Sequence, residues 1–127
     1  MKEPKEGRLL PCPRTPNCVC SQDEDPRHGI APLRFEGDPD AAMGRLQEII
    51  EAMPRTDVES GSPHYLRARF KTRVLRFTDD VELLLDHEAR VVHVRSASRV
   101  GYSDFGANRQ RVEAIRDAFS GRTRQSK

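Results

Sequence analysis

The period of the hydrophobic positions changes several times along this chain, and each change marks an element. Met43, Leu46, Ile49, Ile50 and Met53 recur every three or four residues, the spacing that lines one side of a helix. Asp38, Pro39 and Asp40 precede them, supplying a cap, a proline suited to the first turn and acidic charge at the positive helix end. Pro54 closes the run. Over residues 64–71 the period drops to two. Leu66, Ala68 and Phe70 alternate with Tyr65, Arg67, Arg69 and Lys71, a half-buried strand with a basic outer face. Residues 80–86 place Val81, Leu83 and Leu85 on one side. A turn at His87, Glu88, Ala89 and Arg90 leads to a further strand at 91–97. Helical spacing returns from about 106 to 120, with Val112, Ile115, Ala118 and Phe119 facing inward and Gly121 as the stop.

Weaker signals fill the gaps. Residues 30–35 read as a short strand, which Pro32 favours at an edge. Residues 57–59 read as another short strand, and Gly61, Ser62 and Pro63 as a turn. Residues 74–77 stay open between a turn and a strand continuation. The order predicts an α+β fold in a single domain: an antiparallel sheet of about four to five strands with two helices packed on one face. Residues 1–29 lack periodicity and are rich in Pro, Cys and charge, an extended N-terminal arm lying on the domain. The domain itself runs over 30–121, and 122–127 form a basic, disordered tail.

The 127 residues fit one such domain. Hydrophobic residues make up 35 % and charged residues 33 %, so a modest core lies under a charged surface. The 22 basic and 20 acidic residues nearly cancel, which argues against a uniformly basic nucleic-acid binder. No apolar run approaches a membrane span, and the N-terminus lacks the apolar centre of a secretory signal. The default expectation is a soluble, cytoplasmic protein, with a removed leader or anchor as the other way to obtain this sequence.

The densest chemistry lies in residues 95–113, which hold Arg95, Arg99, Arg109 and Arg111 beside Gly101, Gly106, Tyr102, Asp104 and Asn108. This arginine-rich motif falls between a strand and a helix. Guanidinium groups offer a planar, permanently charged fork of donors for carboxylate or phosphate, and glycines let the backbone come close to a ligand. The expectation is a non-catalytic anion-binding site at the junction of the last strand and last helix. Arg95, Ser98, Arg99, Tyr102, Asn108 and Arg109 would contact a small anionic ligand, and Asp79, Asp80 and Asp104 would position the arginines. Arg99→Ala would then abolish binding and leave the fold mostly intact. The bland alternative is an internal ion-pair network that locks the loop. Gly101 and Gly106 have P-loop spacing, but Ala107 and Asn108 follow where Lys and Ser or Thr are needed.

Two other function classes stay open. One is an enzyme acting on a small anionic substrate, with Asp79 or Asp80 as base. Adjacent residues in a strand point to opposite faces, so the pair converges only at a bulge or turn. Of the two, one is expected to be structural and the other an arginine partner. Ser96, Ser98 and Ser103 are candidate nucleophiles with His93 as the nearest base, but His93 and Ser96 should face opposite ways. His28, His64 and His87 lie in or beside loops and are expected to face solvent. No residue is assigned a catalytic role and no cofactor is expected. The other class is a protein-interaction domain docking through the N-terminal arm.

Cys12, Cys18, Cys20 and His28 carry metal-ligating atoms, but their spacing matches no standard zinc pattern. No metal is expected. Reduced thiols are the default, and a Cys12–Cys18 disulfide closing a Pro-rich loop is the alternative in an oxidising compartment.

Three stretches carry a family resemblance: Cys12-Pro-Arg-Thr-Pro-Asn-Cys-Val, then Phe77-Thr-Asp-Asp-Val-Glu, then the run from Arg95 to Arg109. Together they resemble the uncharacterised bacterial and plastid family called domain of unknown function 1499, over nearly the whole chain. The resemblance implies no activity. It implies that relatives are often exported, lipid-anchored, membrane-attached or plastid-targeted. The family usually has Ser where this chain has Cys20, so a three-cysteine site is not a family trait.

Overall fold

The computed structural model describes residues 4, 7–73, 76–100 and 106–121. The basic tail at 122–127 and residues 74 and 75 of the 74–77 segment lie outside the described residues, as do Gly101, Tyr102, Ser103 and Asp104.

Eight elements follow in chain order: β1 (Cys18–Cys20), β2 (Leu33–Arg34), α1 (Pro39–Glu51), β3 (Thr56–Ser60), β4 (Tyr65–Lys71), β5 (Thr78–Asp86), β6 (Val91–Ser98) and α2 (Ala107–Phe119). They form an α+β fold. The sheet is antiparallel, in the order β1-β6-β5-β4-β3. β2 also pairs with β6, at Val91 and Val92, while β1 pairs with it further along, at residues 95–97. Two short strands from the N-terminal third thus share one edge of β6. Residues 18–20 were expected as part of the arm. They are instead sheet, and a three-residue strand is too short to reveal a period.

Both helices cover one face. α1 begins where Asp38 accepts a hydrogen bond from the Ala41 N–H, with Pro39 in the first turn, and losing such a cap costs about 1 kcal/mol. Ala42, Met43, Leu46 and Ile50 form its buried side. α2 follows Gly106, whose φ of 81° is left-handed and suits glycine. Its buried side carries Asn108, Val112, Ile115 and Phe119. The apolar side chains of both helices meet Leu66, Ala68, Phe70, Val81, Leu83, Leu85, Val92 and Val94 from the sheet in one core. Each large aliphatic buried there contributes about 1.5–3 kcal/mol. Arg116 ties α2 to the edge by donating to the carbonyls of Ala31 and Pro32 at 2.7 and 2.8 Å.

The other face of the sheet carries no helix. Its rows alternate in sign across strands: Glu59, Arg67, Glu82 and Arg95 stand in register, as do Asp57, Arg69 and Asp80. Alternating cross-strand charges support the pairing. A small patch of Leu9, Cys20, Tyr65 and Leu84 covers one end of this face.

Candidate functional site

Strand alternation divides the arginine-rich run at once. Ser96 and Ser98 share the face of Val92 and Val94, under the helices. Arg95 and Arg99 share the open face with Arg67 and Glu82. Asp79 and Asp80 divide the same way.

Under the helices, a buried polar network joins the end of β6 to the start of α2. Asp79 and Arg111 pair at 2.8 Å, with the aspartate side chain 2 % exposed. Arg111 also donates to Asn108 Oδ1 at 2.8 Å and Ser96 Oγ at 3.2 Å, and its guanidinium stacks on Phe70. Ser96 Oγ donates to Asn108 Oδ1 at 2.6 Å. Asn108 Nδ2 in turn reaches Ser98 Oγ at 2.9 Å and the Asn17 carbonyl at 3.2 Å. Asn108 is fully buried. This network clamps both ends of the segment between Ser98 and Ala107, and it holds Asn108 and Ser98 as framework.

On the open face, Asp80 is the hub. Arg99 grips it with two bonds, at 2.8 and 3.0 Å, and Arg67 approaches it at 3.1 Å. Burial alone pushes the Asp80 carboxyl up, but the bonds from Arg99 and Arg67 outweigh it and hold the group below its ordinary range. The same partnership raises the Arg99 guanidinium further. Arg69 pairs separately with Asp57 and Glu59. Glu82 accepts the Tyr65 hydroxyl at 2.5 Å. Burial, then that bond, pushes the Tyr65 phenol far above its ordinary value, so it stays a neutral donor.

Arg95 is held differently. Its Nη1 lies 3.6 Å from Glu82 Oε1 and its Nη2 lies 3.5 Å from the Pro11 carbonyl, with the side chain 15 % exposed. Both distances are at or beyond the limit of a hydrogen bond. Its Nε is buried and makes no hydrogen bond among the described residues. Arg67, Arg95 and Arg99 thus face Asp80 and Glu82, beside Arg69 with Asp57 and Glu59 in the same rows.

Arg109 does not join them. It projects from α2 toward the loop before β2, where it donates to the Gly29 carbonyl at 3.0 Å and the Arg27 carbonyl at 3.5 Å. Of the arginines grouped by sequence, the structure brings Arg95 and Arg99 to one face and sends Arg109 elsewhere.

The cysteines differ from the reduced default. Cys12 and Cys18 form a disulfide that pins the arm to the start of β1. Cys20 is a free, buried thiol, and burial raises it above the usual thiol value. His28 is buried rather than solvent-facing, with Nδ1 3.0 Å from the Cys18 carbonyl. Among the described residues, no group of three or more His, Cys, Asp or Glu is arranged to hold a metal, and no helix is long and apolar enough to cross a membrane.

The family described as protein of unknown function (DUF1499) matches residues 8–119. The chain belongs to this family. No curated protein matches it. The matched stretch contains the disulfide loop, both aspartates and the whole arginine run.

The sequence reading gave no site role to Arg111, Glu82, Arg67 or Tyr65, and took Ser96 as a candidate nucleophile where the structure makes it part of the buried network. Arg111 had a signal: it lies three residues after Asn108, one before Val112 and four before Ile115, on the inward stripe of α2. Glu82 and Arg67 had one too, since each falls on the outward register of its strand. The sequence also missed the chain Ser21–His93–Asp86, in which Ser21 Oγ lies 3.2 Å from His93 Nδ1 and His93 Nε2 lies 3.2 Å from Asp86. Ser21 Oγ already accepts the Val94 N–H at 2.9 Å, which makes this chain a lock between the segment after β1 and β6. His93 and Ser96 do face opposite ways.

Proposed function

We propose that this domain is a non-catalytic binding module for a small anionic group, held on the open face of the sheet near the β6–α2 junction. Arg95 and Arg99 are the contacting groups. Asp80 and Glu82 set their positions, and Arg67 adds positive charge. Ser98, Asn108 and Asp79 hold the strand end and helix start in place behind them. Tyr102 and Asp104 follow directly in the chain, and Arg109 fastens α2 to the loop at 27–29.

The observation that carries this reading is Arg95. A guanidinium that is mostly buried, with an unbonded Nε and only long contacts to its neighbours, gains most from an added anion, because a desolvated cation is costly unless paired. A carboxylate or phosphate would take the fork of donors.

Binding is favoured over turnover by Asp80. A general base working near neutral pH needs a raised carboxyl, and Asp80 is held low by its arginines. Asp79 is engaged by Arg111 beneath the helices. The alternating signs on the open face give no continuous basic track for a nucleic acid. The arm, bonded through Cys12 and Cys18 to its own sheet, is better suited to covering this domain than to capturing another.

Titration of inorganic phosphate and citrate into the protein, with the disulfide intact and reduced, tests the reading. Binding should weaken about tenfold or more in Arg95→Ala, equivalent to ~1.4 kcal/mol or more, and similarly in Arg99→Ala, with unfolding midpoints near wild type. Wild-type affinity in Arg95→Ala would refute it.

A further inference from the structure

We propose that residues 7–12 form a disulfide-latched cover over Arg95, and that reduction of the Cys12–Cys18 bond by a dithiol uncovers this arginine for its anion. The inference rests on the anion-binding reading above and adds the regulation of that site.

The cover is built from the arm itself. It runs back along the segment that follows β1. The Leu9 N–H donates to Gln22 Oε1 at 2.8 Å, Gln22 Nε2 donates to the Gly7 carbonyl at 3.0 Å, and the Cys12 N–H donates to Asp23 Oδ2 at 3.2 Å. Leu9 is buried against Cys20, Tyr65 and Leu84 on the open face, and Cys12 packs on the same patch. Cys20 is the cross-strand neighbour of Arg95. Pro11 lies between Leu9 and Cys12, and its carbonyl stands 3.5 Å from Arg95 Nη2. That neutral oxygen occupies a position that an anionic oxygen would take at shorter range.

Without the disulfide, little holds this segment down. Leu9 is its one buried apolar side chain, and Leu10 beside it is 71 % exposed. The remaining ties are single hydrogen bonds at exposed or half-buried positions, each of small net worth. Segments with few buried contacts open locally at low cost. The covalent link between Cys12 and Cys18 keeps the returning arm near β1 whenever those bonds break. Removing the link releases that constraint without touching the helix-covered core, which lies on the other side of the sheet.

The chemistry is a simple exchange. A thiolate of the dithiol attacks one sulfur of the Cys12–Cys18 bond, giving a mixed disulfide and a free cysteine. The second thiol of the reagent displaces the other cysteine. Two electrons and two protons pass to the protein, leaving two thiols, and the dithiol closes to its own disulfide. Cys20 stays aside because it is buried in the sheet and keeps its proton, and a protonated thiol does not attack. The latch therefore has two states and does not scramble.

Amide hydrogen exchange and phosphate titration on the full chain, oxidised and then reduced with dithiothreitol, test the proposal. Reduction should speed exchange of the Leu9 and Cys12 amides about tenfold or more, leave amides of β5 and α2 unchanged, and tighten phosphate binding about tenfold. A Cys12→Ser/Cys18→Ser variant never exposed to reductant should match the reduced protein in both readouts. Unchanged exchange at Leu9 and Cys12 would overturn the latch, whatever phosphate does. Faster exchange with equal phosphate affinity in both states would overturn the gating. Faster exchange with no phosphate binding in either state would overturn the anion-binding reading and the gating with it. Because exchange reports the arm alone, that outcome is distinct from a failed latch.

Discussion

Asp79 and Asp80 are neighbours in β5, and each pairs with arginine, yet they sit in different surroundings. Asp79 lies under the helices, 2 % exposed, against Arg111, which is itself boxed by Ser96, Asn108 and Phe70. Asp80 lies on the open face, 14 % exposed, between Arg67 and Arg99, and the Arg99 side chain is 48 % exposed. The first pair belongs to a satisfied internal network whose members have no room to change partners. The second belongs to a surface ladder in which arginines and carboxylates alternate across the strands. The same chemical pairing is enclosed on one face and open to solvent on the other. What separates them is solvent access, since water screens an exposed pair and leaves a buried one dependent on its partner.

That contrast can be broken by experiment, beginning where the effect is largest. Asp79→Ala strands the Arg111 guanidinium beneath α2 and should cost about 3–5 kcal/mol of stability, read from denaturant midpoints. A loss under about 1 kcal/mol would mean that water reaches Arg111 and the two faces are alike. Replacing both Cys12 and Cys18 by Ser should cost about 2 kcal/mol, because the bridge closes a short loop. A much larger loss would show the arm to be part of the core rather than a cover. Asp80→Asn should cost no more than about 1 kcal/mol, and a loss matching that of Asp79→Ala would erase the distinction.

The pH dependence sharpens the comparison further, with the smallest effect. Asp80 has a folded-state carboxyl below its unfolded value, because Arg99 and Arg67 outweigh burial. Its contribution is therefore fully present above the unfolded value of about 3.9 and is lost as pH falls through the lower folded value. The stability gap between wild type and Asp80→Asn should be constant from about pH 7 to 5 and shrink below about pH 4. A gap that widens on acidification would contradict the assignment.

The fold was legible where a period persisted for two turns or five residues. α1, β4, β5 and β6 stand close to where alternation and capping put them, and the antiparallel sheet with two helices on one face followed from their order. β1 was not legible because three buried residues, Cys18, Val19 and Cys20, offer no alternation to read. The candidate site was half legible. The period-two rule alone separates Asp79 from Asp80 and Arg95 from Ser96. Grouping Arg109 with Arg95 and Arg99 failed because proximity in sequence says nothing about which side of a helix meets a sheet. Arg111, two residues on, is turned about 200° around the axis and faces inward, while Arg109 reaches the loop at 27–29.

The sequence by itself determined the elements, their order and which residues share a face, because these follow from local dihedral preference and the repeat lengths of helix and strand. Only the tertiary structure decided which charges meet. The register of β4 against β5 and β5 against β6 sets Glu82 between Arg67 and Arg95. The seating of α2 gives Arg111 to Asp79. The return of the arm through Cys12 and Cys18 brings the Pro11 carbonyl to Arg95. These contacts join residues far apart in the chain, and a pairwise electrostatic contact depends on distance and solvent exclusion, which the sequence supplies only once it is folded.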